Sequence, residues 1–393
     1  MKVCMIAYTF YETDGRVRRY AEALAKRGDE VDAIVLRQEG QTGVEIINGV
    51  KVHRIQKRVR DERGPFSYLA KLLLFFFHSS WVVTKRHLAG RYDLIHVHSV
   101  PDFQVFSTLI PRLMGAQVIL DIHDIIPEFY ASKFAVSENS FVFRILLLIE
   151  KLSAGYSNHV IIANHLWYAK LIRRSVPADK CTALINYPDP SVFFCRPRTE
   201  SHNGDFLMCY PGTLNWHQGL DVAINAMTLV RLKAPHAKFL IIGDGPDREK
   251  LKVLVQTEGL EDHVIMSGIM PIEQVAKIMA NVDVGVVPKR KNSFGNEAFS
   301  TKIMEFMASG VPVIASDTKI DQYYFHDTLV QFFESGNSAD LADKIIDLAQ
   351  DSEKKKTLTN RSLAFIQDNN WGVKKHEYLD LVDRLVKRIP IGA

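Results

Sequence analysis

Short apolar runs alternate along the first half of the chain with segments in which apolar residues recur every three or four positions. Runs that are apolar on both sides are typical of parallel strands covered by helices on both faces. The predicted strands span residues 3–7, 31–36, 50–55, 94–98, 117–122, 159–163 and 184–186. The predicted helices span residues 17–27, 103–114 and 141–155. This alternation predicts an α/β domain built on a parallel sheet.

A second series of the same kind follows residues 195–206, a polar stretch with Pro and Gly that we interpret as an interdomain linker. Its predicted strands span residues 207–210, 238–242, 264–266, 284–287 and 313–315. Its predicted helices begin near residues 220, 248, 272 and 300, and a last helix spans residues 371–389. We therefore expect Rossmann-like domains over residues 1–195 and 196–370, facing each other across a deep cleft, and a C-terminal helix over 371–393.

The composition agrees with two globular domains of ordinary size, since the chain has 393 residues, of which 47% are hydrophobic and 24% charged. The four cysteines have no C-x-x-C spacing, so neither a zinc site nor a disulfide framework is expected. The N-terminal apolar run is only as long as a strand, which is too short for the core of a signal peptide. We expect a cytoplasmic protein with reduced cysteines.

Basic residues are concentrated between residues 51 and 91, around an apolar segment at residues 66–83 that contains Trp81. The segment is shorter than a comfortable membrane span and is interrupted by Lys71 and His78. Two interpretations remain open. The segment is either a helix in the membrane interface, with the protein peripheral on the inner face of a membrane, or a core helix packed on the first sheet. The two are compatible if one face packs and an exposed end contacts lipid.

Two carboxylates stand out in the second half, since seven residues separate Glu297 from Glu305. Glu297 lies in the loop before the helix predicted at residues 300–308, and Glu305 lies on that helix among apolar residues. A carboxylate on an apolar face is costly to bury unless something hydrogen-bonds it, and a hydroxyl-rich ligand would do so. For either residue alone, a surface position on an amphipathic helix is the alternative.

The segment around these carboxylates resembles the E-x7-E signature of the retaining glycosyltransferases of family 4, which have the GT-B fold. The resemblance extends over nearly the whole chain. It implies that Glu297 lies against the transferred sugar, as a catalytic residue, and that Glu305 binds the ribose hydroxyls of a nucleotide-diphosphate sugar. It also implies that the C-terminal helix crosses back to pack on the first domain.

Polar residues in the first domain open its first helix and follow one of its strands. Gly15 and Arg16 stand where the free N–H groups of a helix favour an anion, and DGRVRR resembles the opening found in many of these transferases. His123, Asp124 and Glu128 come directly after an apolar strand. The resemblance implies that His123 approaches the donor sugar as a second catalytic residue. We assign Gly15, Arg16, Asp124 and Glu128 to the acceptor side.

A pair of histidines, His96 and His98, lies on one side of another predicted strand and suggests a metal site. No nearby cysteine or carboxylate in the sequence completes such a site convincingly. The transfer chemistry implied by the resemblance does not require a metal. We therefore expect no metal at these histidines, no cofactor, and activity that is independent of metal.

In the second domain, Gly212 ends a predicted strand within YPGTLNWHQGLD. Members of the family commonly have an Arg right after this Gly and a Lys before the next one, and both hold the diphosphate. This chain departs from the pattern, because it has Thr213 and Gln218 at those positions. We expect the Gly212–Thr213 backbone to bind phosphate together with a cation from elsewhere. The candidates are Lys289, Arg290 and, preferred among them, Lys302.

The segment IIGDGPDREKL places Gly243 and Gly245 between a strand and a helix. It resembles the G-D-G-P loop of the family, which implies donor binding. A tight turn into a helix is the alternative explanation for the two glycines.

The resemblance implies a glycosyltransferase of hexosyltransferase type, which would move a sugar from a nucleotide-diphosphate sugar to a glycan or lipid-linked acceptor with retention of configuration. The expected context is surface polysaccharide biosynthesis, and no nucleic-acid partner is expected. One alternative is a catalytically silent GT-B protein that binds nucleotide, which the residues Thr213 and Gln218 favour. The other is a sugar-nucleotide 2-epimerase, which the segment from Glu297 to Glu305 disfavours.

Overall fold

The computed structural model describes residues 1–58, 65–99, 101–134, 136–197 and 204–387. The chain divides into two compact units, of which the second comprises Tyr187–Lys374. The first comprises Met1–Asn186 together with the C-terminal residues from Lys375 onward. The division thus comes earlier in the chain than residues 195–206, which we interpreted as the linker and of which residues 198–203 lie outside the described part.

The first unit is built on an eight-stranded sheet in the order β3-β4-β2-β1-β5-β6-β7-β8. Its strands are β1 (Lys2–Ala7), β2 (Glu30–Arg37), β3 (Val44–Ile47), β4 (Val50–Lys57), β5 (Leu94–His98), β6 (Gln117–Ile122), β7 (His159–Ile162) and β8 (Cys181–Ala183). Neighbouring strands are parallel except that β3 runs antiparallel to β4. The central strands β1, β5, β6 and β7 are almost fully buried, as the apolar pattern indicated.

Helices connect these strands in the described part of the first unit. They are α1 (Gly15–Arg27), α2 (Pro65–Ala89), α3 (Leu109–Leu113), α4 (Ile126–Phe134), α5 (Phe141–Tyr156) and α6 (His165–Arg174). The single helix predicted at residues 103–114 is wrong, because Asp102–Thr108 forms a 3-10 helix and only α3 is α-helical. Pro111 explains the change, since a proline is tolerated in the first turn of an α-helix but not in its interior. The strand predicted at residues 184–186 is also wrong, because β8 ends at Ala183.

The second unit is built on a six-stranded parallel sheet in the order β11-β10-β9-β12-β13-β14. Its strands are β9 (Phe206–Pro211), β10 (Ala237–Ile242), β11 (Val264–Gly268), β12 (Val284–Val287), β13 (Val313–Ser316) and β14 (Gln331–Phe333). Its helices are α7 (Leu220–Lys233), α8 (Arg248–Thr257), α9 (Ile272–Asn281), α10 (Thr301–Ala308), α11 (Lys319–Tyr324), α12 (Ser338–Gln350) and α13 (Ser352–Asp368). The strand order reverses between β9 and β12, and doubly wound sheets bind their ligands at the carboxyl ends of the strands at such a point.

The last helix, α14 (Trp371–Lys387), returns to the first unit. Its Tyr378 is fully buried, with its ring 4.2 Å from the ring of Tyr20 on α1. The Tyr378 hydroxyl lies 3.0 Å from Nδ1 of His96 on β5. The last two residues of the predicted helix, 388 and 389, lie outside the described residues. The expectation of two Rossmann-like domains with a returning C-terminal helix is confirmed.

Helix α2 contains the apolar segment for which two interpretations were open. Leu72, Phe75 and Val83 on one side of the helix are buried in the first unit, so the core-helix interpretation is confirmed for that side. The opposite side, with Phe77 and Trp81, is exposed. In the part of the chain that the structure describes, every helix is too short or too polar to cross a membrane.

Candidate functional site

Helix α10 brings two of the predicted donor-binding residues to the carboxyl end of the second sheet. It packs closely on β12, because Gly285 of that strand lies where a Cβ would overlap the ring of Phe306. Ile303 and Met307 on the same helix are fully buried. Lys302 and Glu305 are three residues apart, so they share another face of the helix, and both are half-buried. The buried apolar side of α10 thus determines the positions of the Lys302 ammonium and the Glu305 carboxylate.

The side chain of Lys302 occupies the space beside the loop that follows β9. A Cβ on Gly212 would overlap it, and its ammonium lies 5.2 Å from the centre of the Tyr210 ring. The Tyr210 hydroxyl donates a hydrogen bond of 3.0 Å to the carbonyl of Thr213. Lys302 therefore lies against the Gly212–Thr213 backbone, where the sequence analysis placed the phosphates.

The electrostatic state of Lys302 is unusual for a lysine. Burial lowers the pKa of its ammonium to about 8, with a smaller contribution from Lys289, while Glu305 and Asp321 act in the opposite direction. Among the described residues, no carboxylate forms an ion pair with this ammonium. A buried cation in such surroundings gains much from an anionic ligand.

The other two predicted cations are engaged within the second unit. Lys289 is 3% exposed and forms an ion pair of 2.9 Å with Asp321. Arg290 pairs with Asp221 and donates a hydrogen bond of 3.2 Å to the carbonyl of Trp216. Both cations are thus already paired with carboxylates, which favours Lys302, the preferred candidate, as the cation for a diphosphate.

Glu297 stands on a loop that is held by hydrogen bonds from the buried Lys289 and from the backbone of Lys319. The Lys289 ammonium donates to the carbonyl of Ala298 at 2.9 Å, and the Asn296 side chain accepts from the backbone of Lys319 at 2.9 Å. The half-buried Glu297 carboxylate lies 3.1 Å from the Lys319 ammonium. The structure therefore gives Lys289 a function that the sequence did not indicate, which is to fix the loop that carries Glu297.

The predicted glycines lie on loops that are bonded to one another. Gly212 donates to the carbonyl of Ile242 at 2.8 Å, and Gly243 donates to the carbonyl of Gly268 at 2.8 Å. A Cβ on Gly243 would overlap the carbonyl of Gly212, and a Cβ on Gly245 would overlap that of Leu214. The close approach of backbone to backbone therefore requires both glycines, whether or not they also contact a ligand.

A second polar cluster lies at the carboxyl ends of β5 and β6 in the first unit, and its centre is Asp121. This buried carboxylate accepts hydrogen bonds of 2.8 and 2.7 Å from the guanidinium of Arg16. Its Oδ2 also lies 3.1 Å from Nδ1 of His98 and 3.2 Å from Nε2 of His123. Burial opposes ionisation, but Arg16 and His123 outweigh it and hold the pKa of Asp121 well below its usual range.

Asp121 was missed in the sequence analysis, although a lone carboxylate inside an apolar strand is a signal. It also overturns one argument about His96 and His98, since it is the nearby carboxylate that the sequence did not reveal. His96, His98 and Asp121 are close enough together to hold one metal ion. However, the Arg16 guanidinium bonds both oxygens of Asp121, and a second cation there would be repelled.

Arg16 and Gly15 are placed differently from each other at the start of α1. Arg16 is 4% exposed, and besides Asp121 it donates to the carbonyl of Leu184 at 2.8 Å. Its guanidinium thus forms hydrogen bonds inside the first unit. Gly15 has open space around it, because a Cβ there would meet nothing within 4 Å. Asp14 caps the helix by accepting from the backbone of Arg16 and Val17 at 3.1 Å.

A pocket of about 160 Å³ opens beside this cluster. It is lined by Ala7, Tyr8, Thr9, Asp14, Arg58, Tyr68, His98, Ser99 and His123. His123, which was predicted as a catalytic residue, thus lines the pocket, whereas the predicted acceptor-side residues Asp124 and Glu128 are not among its lining residues. Burial raises the pKa of the half-buried Asp124. Glu128 forms ion pairs with Arg174 and, at 3.5 Å, with Lys170, away from the residues that line the pocket.

Two family models match this chain, and together they cover most of it. One, described as "Glycosyl transferase 4-like domain", matches residues 15–186. The other, described as "Glycosyl transferases group 1", matches residues 194–364. The matches correspond to the first and second units.

Curated relatives are transferases named for different acceptors and products. The 2-deoxystreptamine N-acetyl-D-glucosaminyltransferase of Streptomyces fradiae is 26% identical over 328 residues, which are 76% of this chain and 72% of that protein. The phosphatidylinositol N-acetylglucosaminyltransferase gpi3 subunit of Schizosaccharomyces pombe is 22% identical over 319 residues, or 79% of this chain and 65% of that protein. The amylovoran biosynthesis glycosyltransferase AmsK of Erwinia amylovora is 27% identical over 189 residues, or 48% of this chain and 46% of that protein.

Solved structures share the fold over nearly the full chain. Sucrose-phosphate synthase from Thermosynechococcus elongatus superposes with a TM-score of 0.80 at 20% identity, covering 99% of this chain and 100% of that one. Anabaena HepE in complex with UDP-glucose superposes with a TM-score of 0.73 at 17% identity, covering 98% and 100%. At these identities the likeness establishes the fold.

Proposed function

Because this chain belongs to the GT-B glycosyltransferases of family 4 type, we propose that it transfers a sugar from a nucleotide-diphosphate sugar, with retention at the anomeric carbon. The observation that carries the proposal is the position of Lys302. Its ammonium lies against the Gly212–Thr213 backbone at the carboxyl ends of the strands of the second sheet, where the strand order reverses between β9 and β12. In this chain Thr213 and Gln218 replace the Arg and Lys that usually hold the diphosphate. Lys302 would supply the missing positive charge.

The donor would bind in the second unit. Glu305, one helical turn after Lys302, would accept hydrogen bonds from the ribose hydroxyls, and Glu297 would accept them from the sugar. The diphosphate would contact the Lys302 ammonium and the backbone N–H of Thr213, since the N–H groups of Gly212 and Leu214 already donate to carbonyls at the end of β10 and in the loop after it. A buried ammonium and fixed backbone dipoles stabilise the charge that develops on a leaving diphosphate. Uridine nucleotides are the first donors to test, since a HepE structure of the same fold contains UDP-glucose.

The proposed step breaks the bond between the anomeric carbon and the diphosphate oxygen, and it forms a bond between that carbon and an acceptor hydroxyl oxygen on the same face. The electron pair of the broken bond stays on the diphosphate, which takes up the proton of the acceptor hydroxyl. This route needs no separate base from the protein. We also propose that it needs no metal, so that activity persists in the presence of a chelator.

The acceptor would be a glycan or a lipid-linked sugar that binds the first unit. The pocket lined by Asp14, Arg58 and His123 offers a carboxylate, a guanidinium and an imidazole to hydroxyl groups. Asp121 would keep His123 oriented through its contact with Nε2. The role of His123 toward the donor sugar stays a prediction.

The experiment that tests this proposal is a binding panel of UDP, GDP, ADP and TDP with their sugars, by thermal shift and calorimetry. A ligand that binds the folded state stabilises it by RT ln(1 + [L]/Kd). Binding followed by release of the nucleoside diphosphate in the presence of an acceptor supports the proposal, and the configuration of the product then tests retention. Binding without any turnover favours the second candidate, a silent nucleotide-binding protein, for which the residues Thr213 and Gln218 are the supporting observation.

A further inference from the structure

Helix α5 of the first unit turns its apolar side outward. Phe141, Ile145, Leu148 and Leu152 recur at helical spacing and form one stripe, and each is exposed, with Phe141 at 77% and Leu148 at 56%. The buried side of the same helix contains Phe143, Glu150, Ser153 and Ala154. A helix on the surface of a globular unit normally presents polar residues to solvent, so four exposed apolar side chains in one stripe require an explanation.

Helix α2 presents a second outward stripe. Leu69, Leu73, Phe77 and Trp81 recur every four residues on the side away from Leu72 and Phe75, and the exposed fraction of both Phe77 and Trp81 is 65%. The short helix α3 adds the exposed side chains of Leu109, Ile110 and Leu113.

Aromatic contacts connect these three helices. The 3-10 helix over Asp102–Thr108 lies between α2 and α5, because Phe103 packs 6.0 Å from Phe76 of α2 and Phe106 packs 5.0 Å from Tyr156 of α5. Helix α3 continues from that segment, and its Arg112 guanidinium lies 4.6 Å from the Tyr156 ring. We call the exposed apolar side chains of α2, α3 and α5 the apolar face.

The charges on the apolar face have one sign. Helices α2 and α3 contain no Asp or Glu. The single acid of α5, Glu150, is 1% exposed and bonded to Arg174 at 2.6 Å. The exposed charged side chains of these helices are Lys85, Arg144 and Lys151. The exposed acid Glu138 lies in the loop before α5, outside the helices.

We propose that the apolar face, with its basic side chains, docks the protein on the surface of a membrane that contains anionic lipid. Apolar stripes of this kind insert to the level of the acyl boundary, while basic residues at their edges contact lipid phosphates. Trp81, with the Lys85 ammonium 5.0 Å from its ring, suits the boundary between headgroups and acyl chains. A second copy of the chain fits less well, since a symmetric contact would place these basic residues close to one another.

Flotation of the full chain with vesicles tests the docking surface. Vesicles of phosphatidylcholine with phosphatidylglycerol should bind the protein at low salt, vesicles of phosphatidylcholine alone should bind it weakly, and added salt should release it. Replacing Arg144 and Lys151 with Gln should weaken binding about thirtyfold, because each basic residue near such a surface contributes about 1 kcal/mol. The matched control is Lys250→Gln on α8, whose side chain is 84% exposed and which should bind like the wild type.

The apolar part of the surface has its own variant and control. The double variant Ile145→Ser and Leu148→Ser should lose vesicle binding, whereas Leu232→Ser, at an exposed position of α7, should keep it. Trp81 fluorescence should shift to the blue on binding, and the shift should be lost in Trp81→Phe. Because the substituted side chains are exposed, each variant should keep the circular dichroism and thermal stability of the wild type.

Three results would overturn the inference. The first is a folded wild type that does not float with anionic vesicles at low salt. The second is wild-type binding by the α5 variants. The third is a dimer that the α5 double variant dissociates and that does not bind vesicles, since the apolar face would then serve a second copy. The inference does not rest on the proposed transferase reaction, and a failure to bind any nucleotide would leave it standing.

Discussion

The ammonium of Lys302 lies 5.2 Å from the centre of the Tyr210 ring, beside the backbone of Gly212. The two residues are far apart in the chain and meet because β9 and β12 are neighbours in the sheet, with α10 packed against β12. A cation over an aromatic ring gains a modest stabilisation, but that gain does not replace the hydration lost on burial. This ammonium is therefore the most poorly compensated of the three cations considered for the diphosphate.

Lys302→Met should raise the stability of the ligand-free protein but abolish its binding of a nucleoside diphosphate. Removal of a buried, poorly compensated ammonium should stabilise the ligand-free protein by about 2 kcal/mol, because the lowered pKa indicates a cost of that order. The same variant should lose the thermal shift caused by a nucleoside diphosphate. Thermal unfolding with and without UDP measures both effects, and Lys302→Arg, which keeps the charge, is the control. An unchanged shift in Lys302→Met would remove this residue from the donor site.

The affinity for the nucleotide sugar should depend on pH through Lys302. Its pKa in the free protein is about 8, and the diphosphate favours the protonated form, so binding should take up a proton near and above this pH. Affinity should be constant below about pH 8 and should fall above it, approaching tenfold per pH unit. Calorimetry in buffers of different ionisation enthalpy measures the proton uptake. Lys302→Arg should show a flat profile over the same range, and an equal slope in that variant would assign the titration to another group.

Glu305→Gln and Glu297→Gln should affect different parts of the donor. Glu305→Gln should weaken the binding of the free nucleoside diphosphate by roughly tenfold to a hundredfold, since a hydrogen bond to a charged group contributes about 1.5–3 kcal/mol. Glu297→Gln should leave the affinity for the nucleoside diphosphate largely unchanged and should lower the turnover of the nucleotide sugar. Calorimetry with UDP and steady-state kinetics with the sugar donor separate the two. Wild-type values for Glu305→Gln in both measurements would contradict the ribose assignment.

Replacing only one partner of the buried ion pair between Arg16 and Asp121 should strongly lower the stability of the protein. Asp121→Asn leaves the guanidinium buried without its counter-charge and should destabilise the protein by about 3–5 kcal/mol. The double variant Arg16→Met and Asp121→Leu should recover a large part of that loss. Urea unfolding of the three proteins measures the difference. A double variant less stable than Asp121→Asn would show that the other partners of this cluster outweigh the ion pair.

Acid should destabilise the protein in part through His96. Burial, with His98 beside it, lowers the pKa of His96 from 6.5 to about 3. The unfolded chain therefore binds a proton that the folded state does not bind, and the free energy of unfolding should fall as pH decreases from about 6.5 toward 3. His96 alone should contribute about 1.4 kcal/mol per pH unit in that window. Urea unfolding at several pH values should show a smaller slope for His96→Gln, and an identical slope would place the effect on other groups.

The local pattern of the chain determined most of the architecture. Period-two and fully apolar runs specify strands, and apolar residues at helical spacing specify helices, since each element must bury one side wherever it lies. The helix with Glu305 and the glycine loops after β9 and β10 were predicted for this reason. The approximate strand boundaries and the family also follow from segments that are contiguous in the sequence. Pro111 shows the limit of such patterns, because one residue changed the type of helix inside an otherwise regular apolar segment.

Only the tertiary structure decided which side chains are committed to the interior and which remain available. Arg16, Lys289 and Arg290 all have basic side chains near predicted ligand loops, yet each is bonded to a carboxylate from a different element. Their partners are distant in the sequence, and the energy of a charge depends on burial and on the groups within a few ångströms. The outward stripe of α5 has the same origin. Its periodicity specified an amphipathic helix, but the neighbours that pack on Glu150 rather than on Leu148 determined which side faces the interior.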